Sequence, residues 1–273
     1  MTDTMLTHHE YTIGYDPDFV RLLMLRNAET HAAYLLPSLT PGLRLLDFGC
    51  GPGTITLGLA ARVEPGEVHA VDIEESQIEM ARAAAVAGGH DNISFQVGNV
   101  CELPFEDGYF DVAHCHTVLC HVPDTQAALR EVKRVLKPGG LVASREAIID
   151  SCFIEPAGEQ RREYWATIGG LIAANGGHPQ MGRELKRELL KAGFIDISTS
   201  ASFEYFGTEK EKAALQTATN GWFFTPRVMA TATECGLATA AQFEQWRRDN
   251  DLWKSAPGGV GGFAFGEATA KRP

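Results

Sequence analysis

Between Leu43 and Val63 the apolar rhythm of the chain changes once, and the change defines its first unit. Leu43, Leu45, Leu46 and Phe48 form a short, nearly continuous apolar run of the kind buried in a sheet, whereas Ile55 to Val63 is apolar enough for a packed helix. Gly49, Gly51 and Gly53 stand between them and predict a turn in which backbone approaches a ligand with no Cβ in the way. The alternation then continues: a strand at Val68–Val71 ending in Asp72, an alanine-rich helix at Glu75–Ala87 closed by Gly88-Gly89, and a strand at Ile93–Val97. A strand at Tyr109–His116, a helix at Asp124–Leu136, a turn at Lys137–Gly140 and a strand at Leu141–Ala147 follow. Upstream, apolar positions at helical spacing predict one helix from Phe19 to Leu36, ended by Pro37. Arg21 and Arg26 fall on its polar face, with a cofactor or substrate carboxylate as the alternative partner of Arg26.

Strands alternating with helices predict a doubly wound α/β sheet of parallel order with right-handed crossovers. Ligands in such sheets bind at the carboxyl ends of the strands. Asp47, Asp72, Asn99 and the His116-Thr117 segment all fall at such ends. Beyond Asp150 the pattern departs from that minimal sheet. A helix within Ser151–Asn175 carries Tyr164, Trp165, Ile168, Leu171 and Ile172, a second runs from Arg183 to Ala192, and Phe194–Phe206 alternates as a strand. A further insertion, Thr208–Trp253, is helical in parts and rich in aromatics such as Trp222, and a small-residue strand at Gly262–Ala268 closes the chain.

Composition narrows the classes. With 273 residues, 44% hydrophobic and 22% charged, the chain suffices for one substantial core with an added cap, and no repeat or linker marks a second domain. The expected organisation is one domain over 1–273: an N-terminal helical lid segment (1–36), a ligand-binding core (37–150), cap elements (151–193 and 208–254) and late strands (194–207 and 260–269). A formal charge of −11 argues against a nucleic-acid partner, which needs clustered Lys and Arg. No apolar run reaches the ~18 residues of a membrane span and the polar start lacks a signal peptide, which predicts a cytoplasmic chain, with a homodimer left open.

The six cysteines form no C-x-x-C pair and read as small apolar fillers. His114, His116 and His121 lie near Cys115 and Cys120, but alternation along a strand sends Cys115 to the opposite face from His114 and His116, so no metal is expected.

The glycine corner reads G-x-G-x-G and places Thr54 where a dinucleotide fingerprint carries glycine, which weakens a pyrophosphate ligand and with it a nicotinamide dehydrogenase. Asp72, 19 residues after Gly53, suits the two hydroxyls of a ribose. LLDFGCGPG, AVDIEESQIEMAR, ISFQVGNVCELPFEDGYFDVAHCHTVLCHVPD and ALREVKRVLKPGGLVASRE, in this order over Leu43 to Glu146, resemble the class I S-adenosylmethionine-dependent methyltransferases of the ubiquinone/menaquinone-biosynthesis branch. The resemblance implies a Rossmann-like, seven-stranded, mostly parallel sheet whose last strand is antiparallel, with helical cap insertions. It implies S-adenosylmethionine as cofactor, S-adenosylhomocysteine as product, and methyl transfer to a small molecule at oxygen, nitrogen, sulfur or carbon. Asp47, Gly49, Cys50, Gly51 and Gly53 would hold the methionine part, Asp72 the ribose, and Ile73 with Gln77, Asn99, Val100 and His116 the rest of the cofactor. Asn99 replaces the acid often found there, its amide oxygen still able to accept from the adenine amino group.

Methyl transfer needs alignment and exclusion of water, and a general base only when the acceptor must lose a proton. His116, His121 and Glu146 are the candidates for that base. Glu146 either faces substrate or pairs with Arg145 or Arg161, because a charge on a central strand needs a partner or an open cleft. Tyr11 and Tyr15 are expected to close a lid, and the aromatic cap, with Trp165 and Trp222, points to an apolar or aromatic acceptor. The alternative is a protein of this fold that binds S-adenosylmethionine for other chemistry.

Overall fold

The structure is a computed structural model that describes residues 11–12, 14–156 and 161–273, the side chains of 161 and 162 excepted. Its first strand, β1 (Arg44–Phe48), is buried from Leu45 onward because both faces of the sheet are covered by helices. β2 (Glu67–Asp72), β3 (Ile93–Val97), β4 (Phe110–His116) and β5 (Leu136–Ala147) join it in parallel, β1 lying between β2 and β4. The sheet order is β3-β2-β1-β4-β5-β8-β6, with β7 (Ile195–Phe206) also paired to β8 (Val260–Lys271). β8 runs antiparallel to both β5 and β7, as the closing strand was expected to do.

Seven of these strands are the expected set. The eighth, β6 (Phe153–Glu155), is three residues inside what reads from sequence as cap, and it pairs with Val260–Gly262 of β8 beyond the end of β5. The helix expected over Phe19–Leu36 is broken into α1 (Pro17–Leu23) and α2 (Ala28–His31). Asn27 causes the break: its side chain accepts from the Thr30 amide and so caps a new helix start. Leu25, expected inward, is 61% exposed as a result, and Arg26 leaves the helical surface.

One face of the sheet is covered by α2 and α3 (Thr54–Val63): Ala28, Leu59 and Val63, with Ala32 at the C-cap of α2, pack on Leu45 and Val68. α4 (Glu75–Gly88) carries the chain from β2 to β3 and ends on Gly89, at φ 70°. α5 (Thr125–Val135) and α7 (Met181–Lys191) cover the other face through Leu129, Val132, Leu185 and Leu189. The cap, α6 (Arg161–Ala174), α8 (Glu209–Trp222), α9 (Pro226–Glu234) and α10 (Ala240–Ser255), has an apolar core of its own around Tyr164, Phe223, Phe243 and Trp246. No helix among the described residues is long and apolar enough to cross a membrane.

Candidate active site

A cavity of about 450 Å³ opens over the carboxyl ends of β1, β2 and β4, where the parallel order leaves a crevice. The glycine corner forms its floor. Gly49 and Cys50 donate their amides to Val71 O at 2.6 and 3.1 Å, which bends the chain back over β2. Gly51, at φ 52°, has open space where a Cβ would stand, so a side chain there would project into the cradle. Gly53 does not line the cavity; it caps α3 at φ 80°, and a Cβ would meet that of Ala81 at 2.8 Å.

Asp72 ends β2 and is 8% exposed. Its Oδ2 accepts the Gly51 amide at 2.8 Å and its Oδ1 the Glu74 amide at 3.0 Å, so the corner and the start of α4 hold the carboxylate on the cavity wall. Burial pushes its pKa up against the pull of those amides. Beside it Ile73, 47% exposed, offers an apolar surface, and Gln77 is buried with its Oε1 unpartnered. Asn99 and Val100 also line this end. Asn99 Oδ1 already accepts the Cys101 amide at 2.9 Å, so an adenine amino group could use only its second lone pair.

The other end is built from β4, the loop after it and the N-terminal segment. Thr117 stands at φ 53°, unusual for a branched residue, held by its amide on Arg145 O (2.8 Å) and its hydroxyl on His116 O (2.8 Å). Arg26 donates to the Thr117 hydroxyl at 3.3 Å and, among the described lining residues, is the one Lys or Arg. His116 is buried and its pKa held well below the ordinary imidazole range, first by burial and then by Arg26 and Arg145. Burial, with Arg26, pulls His121 down to about 4; its Nδ1 is buried without a partner. Tyr11 meets the His121 ring edge-on at 4.6 Å and lies 5.2 Å from Tyr15, centroid to centroid. Cap residues tie this segment down: Arg227 donates to Tyr11 O and Thr12 O (3.1 and 3.3 Å), and Asn175 to the Thr12 hydroxyl (2.9 Å).

Besides Gly53, three expected residues lie elsewhere. Glu146 is fully buried and does not line the cavity, because the turn at 118–120 closes over its carboxylate, and consecutive strand residues face opposite sides, so Arg145 and Glu146 do not pair. Its carboxylate accepts the amides of Val118 (3.1 Å), Leu119 (2.9 Å) and Cys120 (3.1 Å), fixing the turn that carries His121. Arg145 instead pairs with Glu204 at 3.1 Å and stacks on Phe265; the Arg161 side chain is outside the description. Trp165 and Trp222 pack against the cap core and are absent from the cavity wall, since neighbouring aromatics satisfy their apolar area.

The remaining expected residues, Asp47, Gly49, Cys50, Gly51, Asp72, Ile73, Gln77, Asn99, Val100, His116, His121, Tyr11 and Tyr15, all line one cavity. Arg26 and His114 join them; from sequence a carboxylate is only the alternative partner of Arg26, and His114 has no cofactor role. The strict helical period hid Arg26, whereas the Asn27 cap signal could have exposed it. All six cysteines are free thiols, and no metal-holding cluster occurs among the described residues.

A glycine cradle, a buried acid at the second strand tip, an apolar shelf beside it and unpartnered polar atoms in the wall suit a nucleoside carrying an amino-acid tail, and define a nucleoside-binding doubly wound enzyme. The comparisons agree with that class. A methyltransferase domain model matches residues 46–144. An uncharacterized methyltransferase of Schizosaccharomyces pombe is 34% identical over 210 residues, 74% of this chain and 75% of the relative. The demethylmenaquinone methyltransferase of Lactococcus lactis is 42% identical over 106 residues, spanning 38% of this chain and only 42% of that enzyme. Among solved structures, Haemonchus contortus phosphoethanolamine N-methyltransferase 2, in complex with phosphomonomethylethanolamine and S-adenosylhomocysteine, superposes with a TM-score of 0.58 at 19% identity, covering 99% of this chain and 59% of that one. The chain belongs to the class I S-adenosylmethionine-dependent methyltransferases.

Proposed function

We propose that the protein transfers the methyl group of S-adenosylmethionine to a small apolar or aromatic acceptor, in the cytoplasm and with no nucleic-acid partner. The observation that carries this reading is one cavity on which the buried acid of β2, the glycine cradle, two low-pKa histidines and the rings of Tyr11 and Tyr15 converge. The bound sulfonium supplies an activated methyl group. Asp72 accepts from the ribose hydroxyls through the lone pairs its two amide partners leave free. Ile73 shelves the base, and Arg26 meets a carboxylate at the β4 end.

At this end the acceptor lies between Tyr11, His121 and Thr117, and the rings of Tyr11 and Tyr15 exclude water. An imidazole with a pKa of about 4 is neutral at pH 7 and a weak base. It therefore serves an acceptor whose proton is already acidic, such as a phenol or enol, better than an aliphatic alcohol. The relative that acts on demethylmenaquinone, by its name, supports an aromatic acceptor for this chain. Release of tritium-labelled methyl from S-adenosylmethionine onto a panel of phenols, quinols, amines and aliphatic alcohols tests the reading. Label in the phenol or quinol fraction is expected; label confined to amines or aliphatic alcohols, or none at all, contradicts it.

A further inference from the structure

Asp47, next to last in β1, stands opposite His114 of β4 in the strand register, and both are buried. Each carboxylate oxygen is engaged: Oδ1 accepts from His114 Nδ1 at 2.8 Å and Oδ2 from the Thr56 hydroxyl at 2.6 Å. The carboxylate can only accept, so the shared proton sits on Nδ1, and in the neutral ring Nε2 becomes an acceptor. His114 lines the cavity, is 0% exposed, and its Nε2 is buried with no partner. An acceptor left unmade in a buried wall costs stability unless a ligand satisfies it. The same cavity wall carries Arg26, a cation with no ion pair among the described residues, which matches the carboxylate of an amino acid and leaves its ammonium to be met.

We propose that His114 accepts a hydrogen bond from the ammonium of the cofactor's amino-acid tail through Nε2, and that Asp47 is a positioning residue acting through this ring. The proposal rests on the cofactor assigned above. It gives the acid of the first strand a different task from direct contact: it fixes the tautomer and the orientation of the imidazole, while Thr56 fixes the acid.

The test compares S-adenosylhomocysteine with 5′-methylthioadenosine, which keeps the nucleoside and thioether and lacks the tail, by titration calorimetry. His114→Asn retains a nitrogen able to donate to Asp47 and removes Nε2. It is expected to weaken S-adenosylhomocysteine about tenfold or more, the loss of one charge-assisted hydrogen bond, while 5′-methylthioadenosine stays within about twofold. Equal losses for both ligands, or no loss for either, overturn the proposal. On the unsubstituted protein, the nitrogen NMR signal of His114 Nε2 is expected to move with S-adenosylhomocysteine and stay fixed with 5′-methylthioadenosine, a readout that holds should the variant fail to fold; no movement with either ligand bound overturns it. Wild-type protein that binds neither ligand would remove the cofactor reading itself, an outcome distinct from equal losses.

Discussion

The tips of β1, β2 and β4 and the helical cap are both rich in side chains that suggest function, yet they spend them differently. At the tips, Asp72, Gln77, His114 and His121 face a cavity, and three of the four keep a buried polar atom without a partner. In the cap, aromatics turn on one another: Tyr164 on Phe223 at 4.4 Å, Phe223 on Phe243 at 5.1 Å, and Phe243 on Trp246 at 5.3 Å between ring centroids. The cap too leaves Trp165 Nε1 and Asn250 Nδ2 buried without a partner, but on no wall of this cavity. Chemistry is therefore read from unsatisfied polar groups that face a cavity, while a concentration of aromatics is equally the mark of a small core that must close on itself.

Breaking the cap core should give the largest effect. Trp246→Ala, at a site 2% exposed, is expected to cost about 3–5 kcal/mol in denaturant unfolding while S-adenosylhomocysteine affinity measured under native conditions changes less than about threefold. A large affinity loss without a stability loss would mean that the cap core is part of the binding site. Asp72→Ala should do the reverse, raising the dissociation constant for S-adenosylhomocysteine about 100-fold, as the loss of two hydrogen bonds to a charged acceptor requires.

Acid should sharpen the contrast next. His121 is held at about 4 against an ordinary 6.5, so above pH 6.5 the ring is neutral in both folded and unfolded chains. As the pH falls from 6.5 to 4, the unfolded chain takes up a proton that the folded chain refuses, and stability drops by about 2 kcal/mol after allowance for the part of the ring that faces the cavity. Unfolding free energies across that range for wild type and His121→Gln check this, and parallel curves would contradict it. The smallest effect belongs to Trp165→Phe and Trp222→Phe: acceptor KM should move less than about twofold, because neither ring reaches the cavity. A tenfold rise in either would restore that residue to the site.

The readable part of the molecule was the part whose signals are local. The glycine corner, the strand at Ile93–Val97 and the acids at strand ends each follow from a few adjacent residues, and the structure keeps them in place. The break between α1 and α2 was local too, but the apolar period masked the Asn27 cap. Glu146, Trp165 and Trp222 were misplaced because their surroundings come from distant segments: three backbone amides of the turn at 118–120 for the first, the cap core for the others. His114 needed the β1–β4 register before its partner could be seen.

Titration calorimetry of the wild-type protein with S-adenosylhomocysteine and, separately, NAD tests most directly whether the strand-tip cavity is a site for a nucleoside with an amino-acid tail. One molecule of S-adenosylhomocysteine per chain, bound with an affinity that Asp72→Ala lowers about 100-fold, and no heat from NAD is the expected result. Silence with S-adenosylhomocysteine, or binding that Asp72→Ala leaves untouched, would contradict it.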